Sequence, residues 1–114
     1  MIIRRVNAAE AELVSALAIR SKAYWGYSDA FMAACCDELT YTAEQLAAAD
    51  YCFMLAETDH RVLGFYALLK LSETETELEA LFVEPDQIGK GHGRTLLEHA
   101  TQQASTPREL ITKG

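Results

Sequence analysis

The sequence lacks the cysteine spacings and the long apolar runs that are typical of disulfide-rich, zinc-binding or membrane-spanning proteins. It contains three cysteines, Cys35, Cys36 and Cys52, two of them adjacent and none in a C-x-x-C spacing. This odd set argues against a disulfide framework and against a zinc site. No apolar run approaches the roughly 20 residues that cross a bilayer, and residues 1–6 lack the apolar stretch of a signal peptide. We therefore expect a cytoplasmic protein with no metal and no membrane association.

The chain is also short of positive charge. It has 10 Lys and Arg against 17 Asp and Glu, a formal net charge of −7, and its basic residues are scattered. Such a surface repels nucleic acid and anionic membranes, although converging backbone N–H groups can still bind an anion. Its 114 residues, half of them hydrophobic, predict a single folded domain over 1–114.

Hydrophobic periodicity predicts a mixed α/β domain. Asn7 and Glu10 are spaced as in a capping box, and Leu13 and Leu17 follow at helical spacing. Thr42 is positioned to cap a third short helical piece. The predicted elements are strand 2–6, helices 8–22, 29–39 and 43–49, strands 51–56, 62–71 and 77–83, helix 94–103 and a weak strand 108–112. This order favours an α/β (α+β) fold with a largely antiparallel sheet flanked by helices.

A glycine-rich segment between a strand and a helix is the most informative stretch. It reads Gln87-Ile88-Gly89-Lys90-Gly91-His92-Gly93-Arg94. Glycines let the backbone approach a ligand and adopt positive φ, and the first N–H groups of a helix are unpaired and carry the positive end of its dipole. The segment therefore predicts a site for a phosphate or diphosphate, with Lys90 and Arg94 at its rim.

Two well-known phosphate motifs do not fit this segment. A P-loop needs G-x-x-x-x-G-K-[ST], which is absent, and the dinucleotide fingerprint G-x-G-x-x-G needs a glycine where Arg94 stands. The segment instead resembles the central motif of the GNAT N-acetyltransferase superfamily, [Q/R]-x-x-G-x-[G/A], with Gly91 and Gly93 at its two small positions. It departs from that motif at Ile88, where Gln or Arg is expected, with Gln87 one place earlier. An ordinary glycine-rich connection is the alternative.

The resemblance covers most of residues 1–104. The runs at 78–85 and 96–100 are similar to the strand and helix that flank the motif in that superfamily, and the stretch 20–28 resembles the N-terminal helices of some bacterial members. It implies that acetyl-CoA binds between two splayed parallel strands. The main chain of Leu81, Phe82 and Val83 would hold the pantetheine arm, and the diphosphate would be held by residues Ile88, Gly89, Lys90, Gly91, His92, Gly93 and Arg94.

Catalytic and acceptor residues are harder to assign. Glu77 stands where several members of the family keep a general base, and Glu79 lies two residues on, hence on the same strand face. Tyr24 and Trp25 fall in the region that borders the acceptor pocket in that family. The alternatives are solvent-facing carboxylates and aromatic packing under a loop. His92 and His99 are expected to be exposed.

The family pattern continues beyond the end of this sequence. By resemblance, another strand, a helix and a strand pair should follow, with a tyrosine that acts as the acid, whereas no tyrosine follows Tyr66. We therefore expect a fold that is incomplete at its C-terminus, through a truncated gene, deliberate shortening or completion by a partner. An unfinished sheet favours a homodimer. The resemblance implies acetyl transfer to a small-molecule or peptide amine; the alternatives are an inactive acyl-CoA-binding or dimerisation module and a structural fragment without ligand.

Overall fold

Five strands form one sheet in the order in which they occur along the chain. The computed structural model describes residues 1–59, 61–104 and 109–112. The first four strands are antiparallel to their neighbours, and the fifth runs parallel to the fourth. The strands are β1 (Ile2–Arg5), β2 (Tyr51–Thr58), β3 (Arg61–Lys70), β4 (Glu75–Val83) and β5 (Glu109–Thr112).

Helices lie between β1 and β2 and between β4 and β5. They are α1 (Ala11–Ala23), α2 (Asp29–Cys35), α3 (Ala43–Ala47) and α4 (His92–Ala104), with short 3-10 turns at Ala8–Glu10 and Pro85–Gln87. Side chains cap three of these N-termini: Asn7 completes a capping box at the 3-10 turn before α1, Thr42 completes one at α3, and Ser28 at α2 accepts from the N–H of Phe31. No helix in the described part of the chain is long and apolar enough to cross a membrane.

The sheet buries a separate apolar cluster on each face. The first three helices cover one face, which we call the α1 face, and α4 covers the other, the α4 face. The largest fully buried side chains come from both clusters, so the two layers share the central strands β2 and β3. On the α1 face these are Val14, Leu17, Phe53, Leu55 and Phe65, and on the α4 face they are Tyr66 and Leu96.

A bulge in β4 and the short pairing of β5 shape the edge of the sheet. Ala67 pairs with Ala80 and Leu68 with Leu78, so Glu79 is an extra residue in β4. Because of this bulge, Leu78 packs on the α4 face and Ala80 on the α1 face. The described pairing of β4 with β5 covers only 75–78. From Glu79 onward, therefore, no described strand pairs with the outer edge of β4.

The predicted fold class is confirmed, and several boundaries change. Helix α2 ends at Cys35 instead of at residue 39, because the chain leaves it through hydrogen-bonded turns at 36–39. Strand β4 begins at Glu75, two residues earlier than predicted. The buried face of α1 is formed by Val14, Leu17, Ala18 and Ser21, while Leu13 is exposed. The predicted start of the last strand at residue 108 and part of the 59–61 turn lie outside the described residues.

Candidate cofactor and acceptor site

A pocket of about 230 Å³ opens at the C-terminal end of β4. It lies between the end of α1, the end of β4, the glycine-rich segment and the first turn of α4. Such a size admits a diphosphate and part of a flexible arm, and its walls combine backbone with apolar side chains. The lining residues are Ser21, Trp25, Leu81, Val83, Gln87, Ile88, Gly89, His92 and Gly93.

The glycine-rich segment forms a turn that only glycine adopts without strain. Gly89 and Gly91 have φ values of 89° and 84°, in the left-handed region. A Cβ placed on either would meet nothing within 4 Å, so both glycines face open space. Helix α4 begins directly afterwards, at His92. The turn therefore exposes main chain beside a helix N-terminus, an arrangement that suits a bound anion.

Gly93 brings α4 close to the end of β4. A Cβ there would lie 3.7 Å from Cγ2 of Val83 and 3.9 Å from Cδ2 of Leu81, which is ordinary van der Waals contact. Glycine leaves this space to the pocket, so a larger side chain would project between the turn and the strand. The role of Gly93 is therefore close approach and not an unusual backbone conformation.

A buried side-chain contact fixes the turn from within. Oε1 of Gln87 lies 3.2 Å from Nε2 of His92, and Gln87 is one of the few buried polar residues. The prediction of an exposed His92 is therefore wrong: the imidazole is half-buried because it reaches back across the turn to Gln87. Gln87 itself was absent from the predicted site, and its position one place before Ile88 was the only signal for it.

Two ion pairs hold the segment between β4 and the glycine turn. Nε and Nη2 of Arg20 donate to the two carboxylate oxygens of Glu84 at 3.1 and 2.6 Å. This bidentate contact raises the pKa of the Arg20 guanidinium. On the other side of Pro85, Arg61 donates to Asp86, and both of these side chains are more than half exposed. The entry to the turn is thus tied to α1 through the shielded carboxylate of Glu84, while its contact with the start of β3 is exposed to solvent.

Aromatic side chains surround the end of α1. Tyr24 and Trp25 contact each other edge to face with ring centroids 5.2 Å apart, and Trp25 lines the pocket while remaining 63% exposed. Nζ of Lys22 lies 5.5 Å from the ring centroid of Phe31, which packs on Tyr27. These contacts give the α1–α2 connection an exposed apolar surface at the mouth of the pocket.

The two candidate bases lie further back along β4. Glu77 and Glu79 are both half-buried, and both make contacts with other parts of the chain. Burial, with the charge of Glu79 adding to it, raises the pKa of the Tyr41 phenol on the α1 face. Glu79 is two residues from Leu81, about 7 Å along the strand. The carboxylates therefore flank the pocket and do not line it.

The pocket brings together part of the predicted set. Seven of the predicted site residues line it: Trp25, Leu81, Val83, Ile88, Gly89, His92 and Gly93. Phe82 points to the α1 face, where it packs on Phe65. Lys90, Gly91 and Arg94 are exposed and outside the lining, and Nε of Arg94 is 3.3 Å from Glu98. Ser21, like Gln87, was not predicted, because only tertiary packing brings the last turn of α1 over β4.

A second cavity, of about 300 Å³, lies where β2, β3 and β4 meet the end of α4. Its lining includes Cys52, Lys70 and Thr76. The hydroxyl of Thr76 is buried without a hydrogen-bond partner, the one such side-chain group found in the described part of the chain. Nearby on the α4 face, the Tyr66 hydroxyl lies 2.6 Å from Nδ1 of His99. His99 is therefore half-buried under this contact and not exposed as predicted.

Comparison with known proteins gives a family match over most of the chain. Residues 16–111 match the model of the acetyltransferase (GNAT) family. The matched segment includes residues 16–23 of α1, the whole of β4, the glycine-rich turn and α4. No protein of curated function matches the sequence at a significant level.

Solved structures share the fold at low sequence identity. The PaiA N-acetyltransferase from Thermoplasma acidophilum in complex with coenzyme A is 22% identical, with a TM-score of 0.71 over 90% of this chain and 70% of that one. A ribosomal-protein-alanine N-acetyltransferase from Brucella melitensis biovar Abortus 2308 is 17% identical, with a TM-score of 0.70 over 100% and 80%. A putative GNAT family acetyltransferase from Staphylococcus aureus is 16% identical, with a TM-score of 0.64 over 98% of both chains.

Proposed function

Because the chain belongs to the GNAT acetyltransferase family, we propose that it transfers the acetyl group of acetyl-CoA to an amine. The observation that carries this proposal is the pocket at the end of β4. It joins the outer edge of that strand to a positive-φ glycine turn and to the N-terminus of α4. An anionic coenzyme with a long, partly apolar arm matches both parts of this arrangement.

The proposed cofactor-binding residues form two groups, one for the diphosphate of CoA and one for its pantetheine arm. The main chain from Ile88 to Arg94 would hold the diphosphate, since Gly89 and Gly91 leave open space above the turn. Lys90 and Arg94 would add positive charge at the rim. The edge of β4 at 81–83 is beyond its described pairing with β5, so its N–H and C=O groups are available to an arm lying along the strand.

Chemistry would take place further back, near the bulge. When bound, acetyl-CoA supplies an activated acyl group as a thioester. An acceptor that arrives as an ammonium must first lose one proton so that its nitrogen has a free electron pair. It loses a second proton as the nitrogen bonds to the acyl carbon, the C–S bond breaks and CoA leaves as a thiolate. Glu77 or Glu79 would take a proton from the amine, and one of the two protons lost neutralises the thiolate. The protein's other contribution is to hold the amine against the acyl group.

The acceptor would enter beside the exposed aromatic residues. Trp25 lines the pocket and contacts Tyr24, and the acidic balance of the chain favours an amine that arrives as a cation. Two of the structural relatives are named for different acceptors, a ribosomal-protein alanine and an aminoglycoside. For this chain we propose an amine on a small molecule or peptide, without naming it.

Thiol release from acetyl-CoA tests the proposal directly. With a broad panel of amines, we expect wild-type protein to release thiol with at least one acceptor and Gly91→Val to lose this activity. Gly26 has a similar φ of 82° and equally open surroundings, so Gly26→Val controls for the strain of valine at positive φ. Its stability is compared with that of Gly91→Val, while thiol release is compared with wild type. Binding of CoA without any transfer would instead identify an inactive acyl-CoA-binding module, and absence of CoA binding would reject the proposal.

The proposal also covers the localisation and the oligomeric state of the protein. We propose a cytoplasmic homodimer, because β1 and β5 are both sheet edges within the described residues and an open edge favours pairing with another chain. Analytical ultracentrifugation over a range of concentrations tests the dimer, and a monomer at every concentration would exclude it.

A further inference from the structure

The pocket has two walls that different parts of the chain supply. Ser21 and Trp25, at the end of α1, form one wall, and Leu81 and Val83, at the end of β4, form the other. Residues 21 and 83 are far apart in sequence, so the width of the pocket depends on a tertiary contact between these walls. The side chains next to them, Arg20 and Glu84, make that contact.

We propose that Arg20 and Glu84 are positioning residues that set the width of the cofactor pocket and thereby its affinity for CoA. This inference rests on the proposed function, and it assigns to the ion pair a role in binding and not in the transfer step. The pair bridges the two walls at the level where β4 gives way to the glycine turn. It fixes where Trp25 stands relative to Val83.

The geometry of the pair is suited to this role. Both nitrogens of the contact donate to separate oxygens of one carboxylate, so the guanidinium and carboxylate planes are held in one orientation. The Glu84 side chain is 18% exposed and the Arg20 side chain 51% exposed, so the carboxylate half of the pair is shielded from solvent and salt. The backbone N–H of Glu84 also donates to the carbonyl of Leu63 at 2.9 Å, so the carboxylate is mounted on a fixed main chain.

On the α1 side of the bridge, the main chain is held by hydrogen bonds. Arg20 lies in the last turn of α1, where a cation is favoured by the helix dipole. Its carbonyl accepts from the N–H of Tyr24, the helix ends at Ala23, and the chain then turns at Gly26, which has positive φ. A shift of Arg20 is therefore passed to Trp25 through a single turn of main chain.

The neighbouring pair Arg61–Asp86 provides a matched control. It has the same chemistry and flanks the same proline, but its carboxylate is 60% exposed, against 18% for Glu84, and it does not reach the end of α1, next to which Ser21 and Trp25 form a pocket wall. An exposed pair of this kind contributes little to structure. Neutralising it should leave CoA affinity unchanged.

Titration of CoA into the full chain tests the inference, with calorimetry and Trp25 fluorescence as readouts. Trp25 is the only tryptophan, so its emission reports on the pocket without a catalytic assay. We expect Arg20→Gln and Glu84→Gln each to weaken CoA binding about five- to tenfold, as for coupled charge pairs. Where transfer is measurable, KM for acetyl-CoA should rise with kcat retained. The double exchange Arg20→Glu with Glu84→Arg should recover most of the affinity.

Thermal melts of every variant separate folding from positioning. If wild type binds CoA and Arg20→Gln binds it equally well, the inference is wrong while the proposed function stands. If the double exchange stays as weak as the single variants, or if Arg61→Gln weakens binding to the same extent, the pair has no specific positioning role. If wild type binds no CoA, the proposed function fails first and this inference with it.

Discussion

Replacing Gly64 by alanine should destabilise the protein more than any other glycine-to-alanine change for which the structure gives contacts. Gly64 lies in β3 opposite Val83 of β4. A Cβ at this position would be 2.6 Å from the carbonyl oxygen of Phe82, 3.0 Å from Cδ1 of Leu96 and 3.2 Å from Cα of Val83. The Leu96 side chain can rotate away, but the backbone of β4 can move only by separating the two strands.

The expected loss is about 2–3 kcal/mol of unfolding free energy, the upper part of the range for overpacked cores, because the closest atom belongs to the backbone. For a domain near 100 residues this corresponds to a fall in Tm of roughly 10 °C. Urea denaturation followed by circular dichroism measures the free energy. The same variant should weaken CoA binding, because the strand that must move carries Val83 into the pocket.

Gly93→Ala is the control for this prediction. Its Cβ would make ordinary contacts at 3.7 and 3.9 Å, and the backbone there has no positive φ. We expect its stability to stay within about 0.5 kcal/mol of wild type, or to rise as glycine leaves a helix. If Gly64→Ala were as stable as Gly93→Ala, the close packing of β3 on β4 would be refuted.

Three further changes test single polar contacts. Thr76→Val should raise stability by about 1 kcal/mol, because it removes a buried hydroxyl that has no partner. Tyr66→Phe should lower it by about 1 kcal/mol, because Nδ1 of His99 loses its hydrogen bond while the ring stays buried. Glu10→Gln should lower it by about 1 kcal/mol at pH 7, because the contact with Arg4 lowers the pKa of Glu10. The difference in stability between wild type and Glu10→Gln should vanish in acid.

The sign of the acid effect follows from the lowered pKa. A carboxyl that ionises more readily in the folded state stabilises it above the unfolded pKa, and this contribution is lost as pH falls through the folded value. Urea midpoints from pH 7 to pH 3 check it, with the exposed Glu12→Gln as a control. An unchanged gap between wild type and Glu10→Gln at low pH would contradict the linkage. The prediction for Thr76→Val would be contradicted if that variant lost stability. The prediction for Tyr66→Phe would be contradicted if that variant kept the stability of wild type.

Local signals in the sequence predicted local structure well. The capping boxes at Asn7 and Thr42 act over three residues, and both are formed. Pro85 ends β4 close to where its missing N–H requires. These features succeed because their hydrogen bonds depend on neighbours that the sequence itself places.

Features that depend on packing were less accessible. The helical spacing of Leu13 and Leu17 predicts a buried pair, but Leu13 is exposed because the sheet meets α1 along Val14 and Ser21. The bulge at Glu79 has no signal in the strand pattern, since it arises from register with β3. Ser21 was missed as a wall of the pocket for the same reason: its neighbour in space, Val83, is a tertiary partner.

At Ile88 the chain departs from the family motif, and a neighbouring residue supplies the polar side chain. Ile88 lines the pocket in the place where the motif has a polar residue. The preceding Gln87 is buried and hydrogen-bonded to His92 inside the turn. A polar side chain therefore still stabilises the turn, from its interior and not from the pocket. Gly89 and Gly91 keep the positive φ that exposes the main chain. Because the proposed contacts to the diphosphate are backbone contacts, what the turn must preserve is its conformation, and Gln87 with the two glycines preserves it.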